Sequence, residues 1–108
     1  MTTNTDPRVL YCRNMIATHG AHILGPELTG LALERFDGGC KRYGPGNFLR
    51  AGFDLKREHL EELLDAFVFA CMGIASDKLS LDTAGNVMSL VGRAAREVAA
   101  EPEREAAL

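Results

Sequence analysis

Residues 55–75 read LKREHLEELLDAFVFACMGIA, and this stretch decides the fold. It has no proline and no glycine before Gly73, and Asp54 stands in front of it as a helix N-cap. The stretch predicts an unbroken helix over 55–75. At roughly 100° per residue, Glu58, Glu61, Glu62 and Asp65 fall within an arc of roughly 100°. Their spacing of i, i+3, i+4 and i+7 makes neighbours along the line adjacent in space. Leu60, Leu63, Leu64, Phe67 and Cys71 fall on the opposite side. Four carboxylates in line repel one another, and the only nearby cations are Lys56 and Arg57 at the helix start. The helix continues as AFVFACM, apolar on every side, which predicts burial. The acidic line therefore runs into an apolar zone. A solvated face, favoured at its start by the helix macrodipole, is the common alternative.

Downstream, Ser80 or Asp82 caps a further helix to about Ala100, with Val87, Met88, Val91, Ala94, Ala95 and Val98 as its apolar positions. Upstream, residues 38–53 (GGCKRYGPGNFLRAGF) hold five glycines and a proline, which predicts one long irregular loop carrying Lys41, Arg42 and Arg50. A second helix starts at Pro26 and stops at Gly38-Gly39, with Gly30 inside it at a cost of about 1 kcal/mol relative to alanine. Asp6-Pro7 opens the first helix, from Pro7 to about Thr18, with His19-Gly20 as its stop. The expected fold is all-α, a four-helix antiparallel bundle-like domain. It is expected as one domain over residues 1–108, frayed at about 1–6 and 101–108.

Composition agrees. Alanine and leucine dominate, β-branched residues are few, and there are five Phe, two Tyr and no Trp. A net charge of −3 argues against a general nucleic-acid binder, and no basic recognition helix is evident. No stretch is apolar for 18 residues, and Met1–Pro7 lacks a signal pattern, so no membrane association is expected. Cys12, Cys40 and Cys71, without CxxC spacing, read as reduced thiols of a cytoplasmic protein, with Cys71 a small core residue. Met15, Met72 and Met88 read as core filler. The apolar-all-round stretch and the lean core of a short chain point to a homodimer or homotetramer.

Clustered carboxylates at the edge of a core need a counter-ion. Mg²⁺ suits them, because it takes oxygen ligands from a few carboxylates, waters and substrate phosphates. The chemistry that follows is phosphoryl or nucleotidyl transfer to water, with a remaining carboxylate orienting or deprotonating the attacking water.

Residues 61–69, EELLDAFVF, resemble the second motif of the MazG-like all-α nucleoside triphosphate pyrophosphohydrolases, in which an ExxD pair on a helix is followed by an apolar run. Glu62 and Asp65 match the pair. Lys41-Arg42-Tyr43-Gly44-Pro45 and Asn47 look like the KYG-type loop of short, often phage-encoded relatives, and the resemblance covers roughly residues 28–75. It implies Mg²⁺ as cofactor and hydrolysis of a nucleoside triphosphate to a monophosphate and pyrophosphate. The family's first motif, EExxE, is incomplete here. Its closest fits are Glu27, which puts Gly30 at the last Glu position, and Glu34. The implied roles are metal binding for Glu62, Asp65 and Glu34, and assistance to catalysis for Glu61 and Glu58. Lys41, Arg42, Asn47 and Arg50 are implied to contact the nucleotide.

A non-catalytic helical oligomer that binds a nucleotide, or serves as an interaction module, is the alternative. The cations of the loop also fit an ordinary charged surface. Tyr43 and Phe48 suit either base stacking or anchoring of the loop, the second being commoner. His19 and His22 are too few for a metal site, and His59 points off the acidic line.

Overall fold

A computed structural model describes residues 6–44 and 46–102. Four α-helices make up nearly all of it: α1 (Pro7–Ile23), α2 (Pro26–Tyr43), α3 (Leu55–Ala75) and α4 (Leu81–Ala100). A short 3-10 turn, Asn47–Leu49, lies between α2 and α3, and no strand occurs among the described residues. The expected all-α class and four helices are present. None of the described helices is long and apolar enough to cross a membrane. Pro45 and the distal tails lie outside the described residues.

The chain divides into two compact units between Phe53 and Asp54. The first is a hairpin of α1 and α2. Asp6 caps α1 by accepting a hydrogen bond from the Arg8 backbone N–H at 2.9 Å, and Pro7 takes the first helical position. Each such cap contributes about 1 kcal/mol. The inner face of α1 is Val9, Cys12, Ile16 and Gly20, of which only Gly20 is fully buried. It meets Thr29 of α2, whose hydroxyl donates to the Gly25 carbonyl at 2.6 Å and so meets its own hydrogen-bonding need inside the hairpin. Arg13 grips Asp37 across the hairpin through two parallel N–H···O bonds of 3.0 and 2.9 Å.

Both helices of this unit outrun the expected stops. α1 continues past His19-Gly20 because Gly20 is the point of closest approach to α2 and not a cap. α2 continues through Gly38-Gly39 to Tyr43, where Gly44, at φ 97°, ends it and donates to the Cys40 carbonyl. Residues 38–43 are therefore helix, not loop. The irregular part begins at Gly44, and Phe48 anchors it with its ring 6.2 Å from that of Phe36.

The second unit pairs α3 with α4, both with the bounds expected. Asp54 accepts from the Arg57 N–H at 3.0 Å and Ser80 from the Thr83 N–H at 3.1 Å. Four small residues of this pair are buried: Ala70 and Gly73 of α3, the latter against the Leu79 side chain, and Ala84 and Ala95 of α4. Leu60, Leu63, Val87, Met88, Val91 and Val98 flank them, half-buried. The helices join through a tight reversal. Asp77 adopts φ 58°, its N–H donates to the Ile74 carbonyl at 3.1 Å, and the Lys78 N–H donates to that of Gly73 at 2.8 Å. This is the paired hydrogen bonding of a Schellman end, with an aspartate where glycine is usual.

The expected burial of the second half of α3 is not found within the chain. Phe69 is 65% exposed, and Val68 and Met72 are each 54% exposed. Cys71 is likewise exposed, although its thiol reaches the Met88 sulfur at 3.5 Å. One helical partner covers one stripe of a helix, and α4 covers the stripe centred on Ala70. Of the methionines read as core, Met88 is half-buried and Met15 and Met72 are exposed.

Candidate functional site

Two groups of side chains carry chemistry. The first is the acidic line of α3. Because α3 runs unbroken from the Asp54 cap, Glu58, Glu61, Glu62 and Asp65 keep their helical spacing, and all four are exposed. They differ in their partners. Arg57 donates its Nε–H to Glu61 at 3.2 Å, one turn away on the same helix. Glu58, Glu62 and Asp65 have no ion pair among the described residues. Lys56, one of the two cations at the helix start, turns to the Glu101 backbone carbonyl at 2.6 Å. The line is thus compensated at Glu61 and open at Glu62 and Asp65. Among the described residues, no group of three or more His, Cys, Asp or Glu side chains gathers as a metal site.

The second group lies on α2. Gly38 and Gly39 leave the helix surface bare for one turn, and apart from the adjoining residues and backbone of α2 itself no described atom lies within 4 Å of where a Cβ of either would sit. The result is a shallow, open depression on the helix surface, lined by Glu34, Arg35, Gly38, Gly39, Arg42 and Tyr43. The Arg42 guanidinium lies 5.7 Å from the centre of the Tyr43 ring, a cation–π contact. Tyr43 is 63% exposed, so its ring is available to a ligand and does not anchor the loop.

The depression brings together three residues singled out in the sequence, Glu34, Arg42 and Tyr43. Lys41 is exposed on the last turn of α2, where a cation offsets the negative end of the helix dipole. Asn47 opens the 3-10 turn, donating its backbone N–H to the Gly44 carbonyl at 3.2 Å. Arg50 lies over the Phe53 ring at 5.3 Å. None of these three lines the depression. Arg35 does, and sequence reading passed over it. Its signal was the pattern RFDGGCKR at 35–42, two arginines two helical turns apart with paired glycines between them.

Charge is uneven along the chain. Residues 38–53 carry Lys41, Arg42 and Arg50 and no acid, in a chain of net charge −3. Arg8, Arg13, Arg57 and Arg93 each pair with a carboxylate, whereas Arg35, Arg42, Arg50 and Arg96 pair with none among the described residues. No protein-family model, curated protein or solved structure matches this chain.

Proposed function

We propose that this chain is a Mg²⁺-dependent pyrophosphohydrolase of the MazG-like kind, converting a nucleoside triphosphate to a monophosphate and pyrophosphate. The observation that carries the reading is the Glu62–Asp65 pair. It sits one turn apart on an unbroken helix, exposed and without an ion pair among the described residues. Two hard oxygen donors of this kind suit Mg²⁺, which completes its shell with waters and substrate phosphates and seldom takes an all-protein cage. When bound there, Mg²⁺ would neutralise charge developing on the phosphate oxygens.

The chain's own residues divide the remaining work. Glu58, one turn before Glu62 and without an ion pair among the described residues, would take a proton from water in this reading. Glu61 is held by Arg57, which compensates one of the carboxylates beside Glu62. Arg42 and Lys41 supply positive charge for the phosphates, with Asn47 and Arg50 further along the same basic segment. A homodimer or homotetramer belongs to this reading, since a second copy would cover the exposed apolar side chains Val68, Phe69 and Met72.

The test is release of pyrophosphate from a panel of nucleoside triphosphates with Mg²⁺. Glu62→Gln and Asp65→Asn should each reduce turnover at least 100-fold while leaving the circular dichroism spectrum unchanged. If wild type and both variants are equally inert, the enzyme reading fails. The Arg57–Glu61 pair and the lack of a three-ligand cluster among the described residues favour a second reading, nucleotide binding without turnover. Calorimetric binding with no product would select it.

A further inference from the structure

We propose that α3 pairs antiparallel with α3 of a second copy of this chain, through the stripe that faces away from α4, so that two α3–α4 hairpins form a four-helix bundle. This deepens the homo-oligomer named above and holds whether or not the chain turns over a nucleotide. α4 covers the stripe of α3 centred on buried Ala70. At roughly 100° per residue, Val68 and Met72 each lie roughly 160° from Ala70 around the helix. Leu64 and Phe69 flank them, and all four are half or more exposed. Together they offer on the order of 400 Å² of apolar surface. The interior of the hairpin is the reverse. Its buried hydrophobic residues are Ala70, Ala84 and Ala95, and no large side chain is fully buried among the described residues. Bulk outside and alanine inside is the pattern of a helix pair whose larger core forms between copies. A stable interface buries roughly 800 Å² per partner, somewhat over half of it apolar, which is close to what this stripe supplies.

The stripe also matches itself. Asp65, Val68, Met72 and Ala75 recur at alternating steps of three and four, the seam of a coiled coil, and the seam runs back through Glu61 and Glu58. It is acidic in its first half and apolar in its second. A parallel pair would set each carboxylate beside its own copy, which like charges oppose. An antiparallel pair with its two-fold axis level with Ala70 brings Val68 onto Met72 of the copy and Asp65 onto Ala75. The two acidic halves then point in opposite directions. In the same register Lys78, exposed at the reversal after α3, comes level with Glu62 of the copy. Neither Lys78 nor Glu62 has an ion pair among the described residues. The two-fold axis makes each of these contacts twice. Such self-matching is what a second copy requires and what an unrelated partner has no reason to produce.

The experiment is sedimentation equilibrium of the full chain without metal or nucleotide, so its outcome is independent of the pyrophosphate assay. Wild type at tens of micromolar should give twice the chain mass of 11.7 kDa. Val68→Glu and Met72→Glu should each give the chain mass, because a carboxylate would be buried in the seam. Lys78→Glu should weaken association about tenfold at low salt, and adding Glu62→Lys in the same chain should bring it back to within about threefold of wild type. This charge exchange alters no apolar residue, so it decides the matter even if the seam variants lose helix by circular dichroism. Arg96→Glu, the same charge change on α4, should weaken association less than about threefold. A monomeric wild type overturns the proposal. So does a dimer that persists in both seam variants, or a Lys78→Glu loss that the exchange fails to restore.

Discussion

Replacing Gly20 by alanine probes the contact that closes the first hairpin. An alanine Cβ at this position would lie 2.6 Å from Thr29 Oγ1, 2.7 Å from its Cγ2 and 3.1 Å from its Cβ. Thr29 cannot easily move aside. It is 7% exposed, branched at Cβ, and tied through its hydroxyl to the Gly25 carbonyl at 2.6 Å. Gly→Ala in a helix gains about 1 kcal/mol. Against that stand overpacking, about 1–3 kcal/mol, and a strained or lost hydrogen bond, about 1 kcal/mol. The net expectation is destabilisation of about 1–3 kcal/mol, or a Tm lower by roughly 4–24 °C. Urea unfolding followed by far-ultraviolet circular dichroism measures it. The same substitution in a Thr29→Ala background should cost less, because only the 3.1 Å contact remains. If Gly20→Ala stabilises the protein, or costs the same in both backgrounds, the hairpin does not close on this contact.

Other expectations follow from single features. Asp77→Gly should raise stability by about 0.5–1 kcal/mol in the same urea assay, since glycine adopts φ 58° without the penalty a side chain carries. The hydrogen bonds from Arg13 hold the Asp37 carboxyl below the usual carboxylate range. Its contribution is therefore fully present above about pH 4 and lost as pH falls through the depressed value. The gap between wild type and Asp37→Asn in urea midpoint should accordingly close on acidification. Burial, then the Asp37 carboxylate, then the Cys12 thiol push the Cys40 thiol pKa up. A disulfide reagent at neutral pH should therefore modify exposed Cys71 first and Cys40 last, read by mass spectrometry of the labelled peptides.

The second half of the chain was legible almost to the residue because its signals are local. Asp54 and Ser80 are caps that bond the backbone a turn ahead, and α4 separates its apolar and polar faces cleanly. The first half misled because glycine has two meanings. At Gly44 it ends a helix through a positive φ, while at Gly20 it lets another helix approach, and only a partner such as Thr29 tells the two apart. The acidic line was readable from spacing alone. What spacing could not supply was which acid already had a partner, and Arg57 singles out Glu61. The depression was hidden for a related reason. Paired glycines read as a break, so the arginines around them were never placed on one face.

Both units close through short reversals, at Leu24-Gly25 and at Ser76–Leu79, so the contacts that define each hairpin join stretches of chain close in sequence. Joining nearby stretches costs little entropy, and proteins dominated by such local pairing reach their native form in microseconds to milliseconds. The chain thus carries two points from which ordering can spread. Each reversal turns on a residue at positive φ, Gly25 at 84° and Asp77 at 58°.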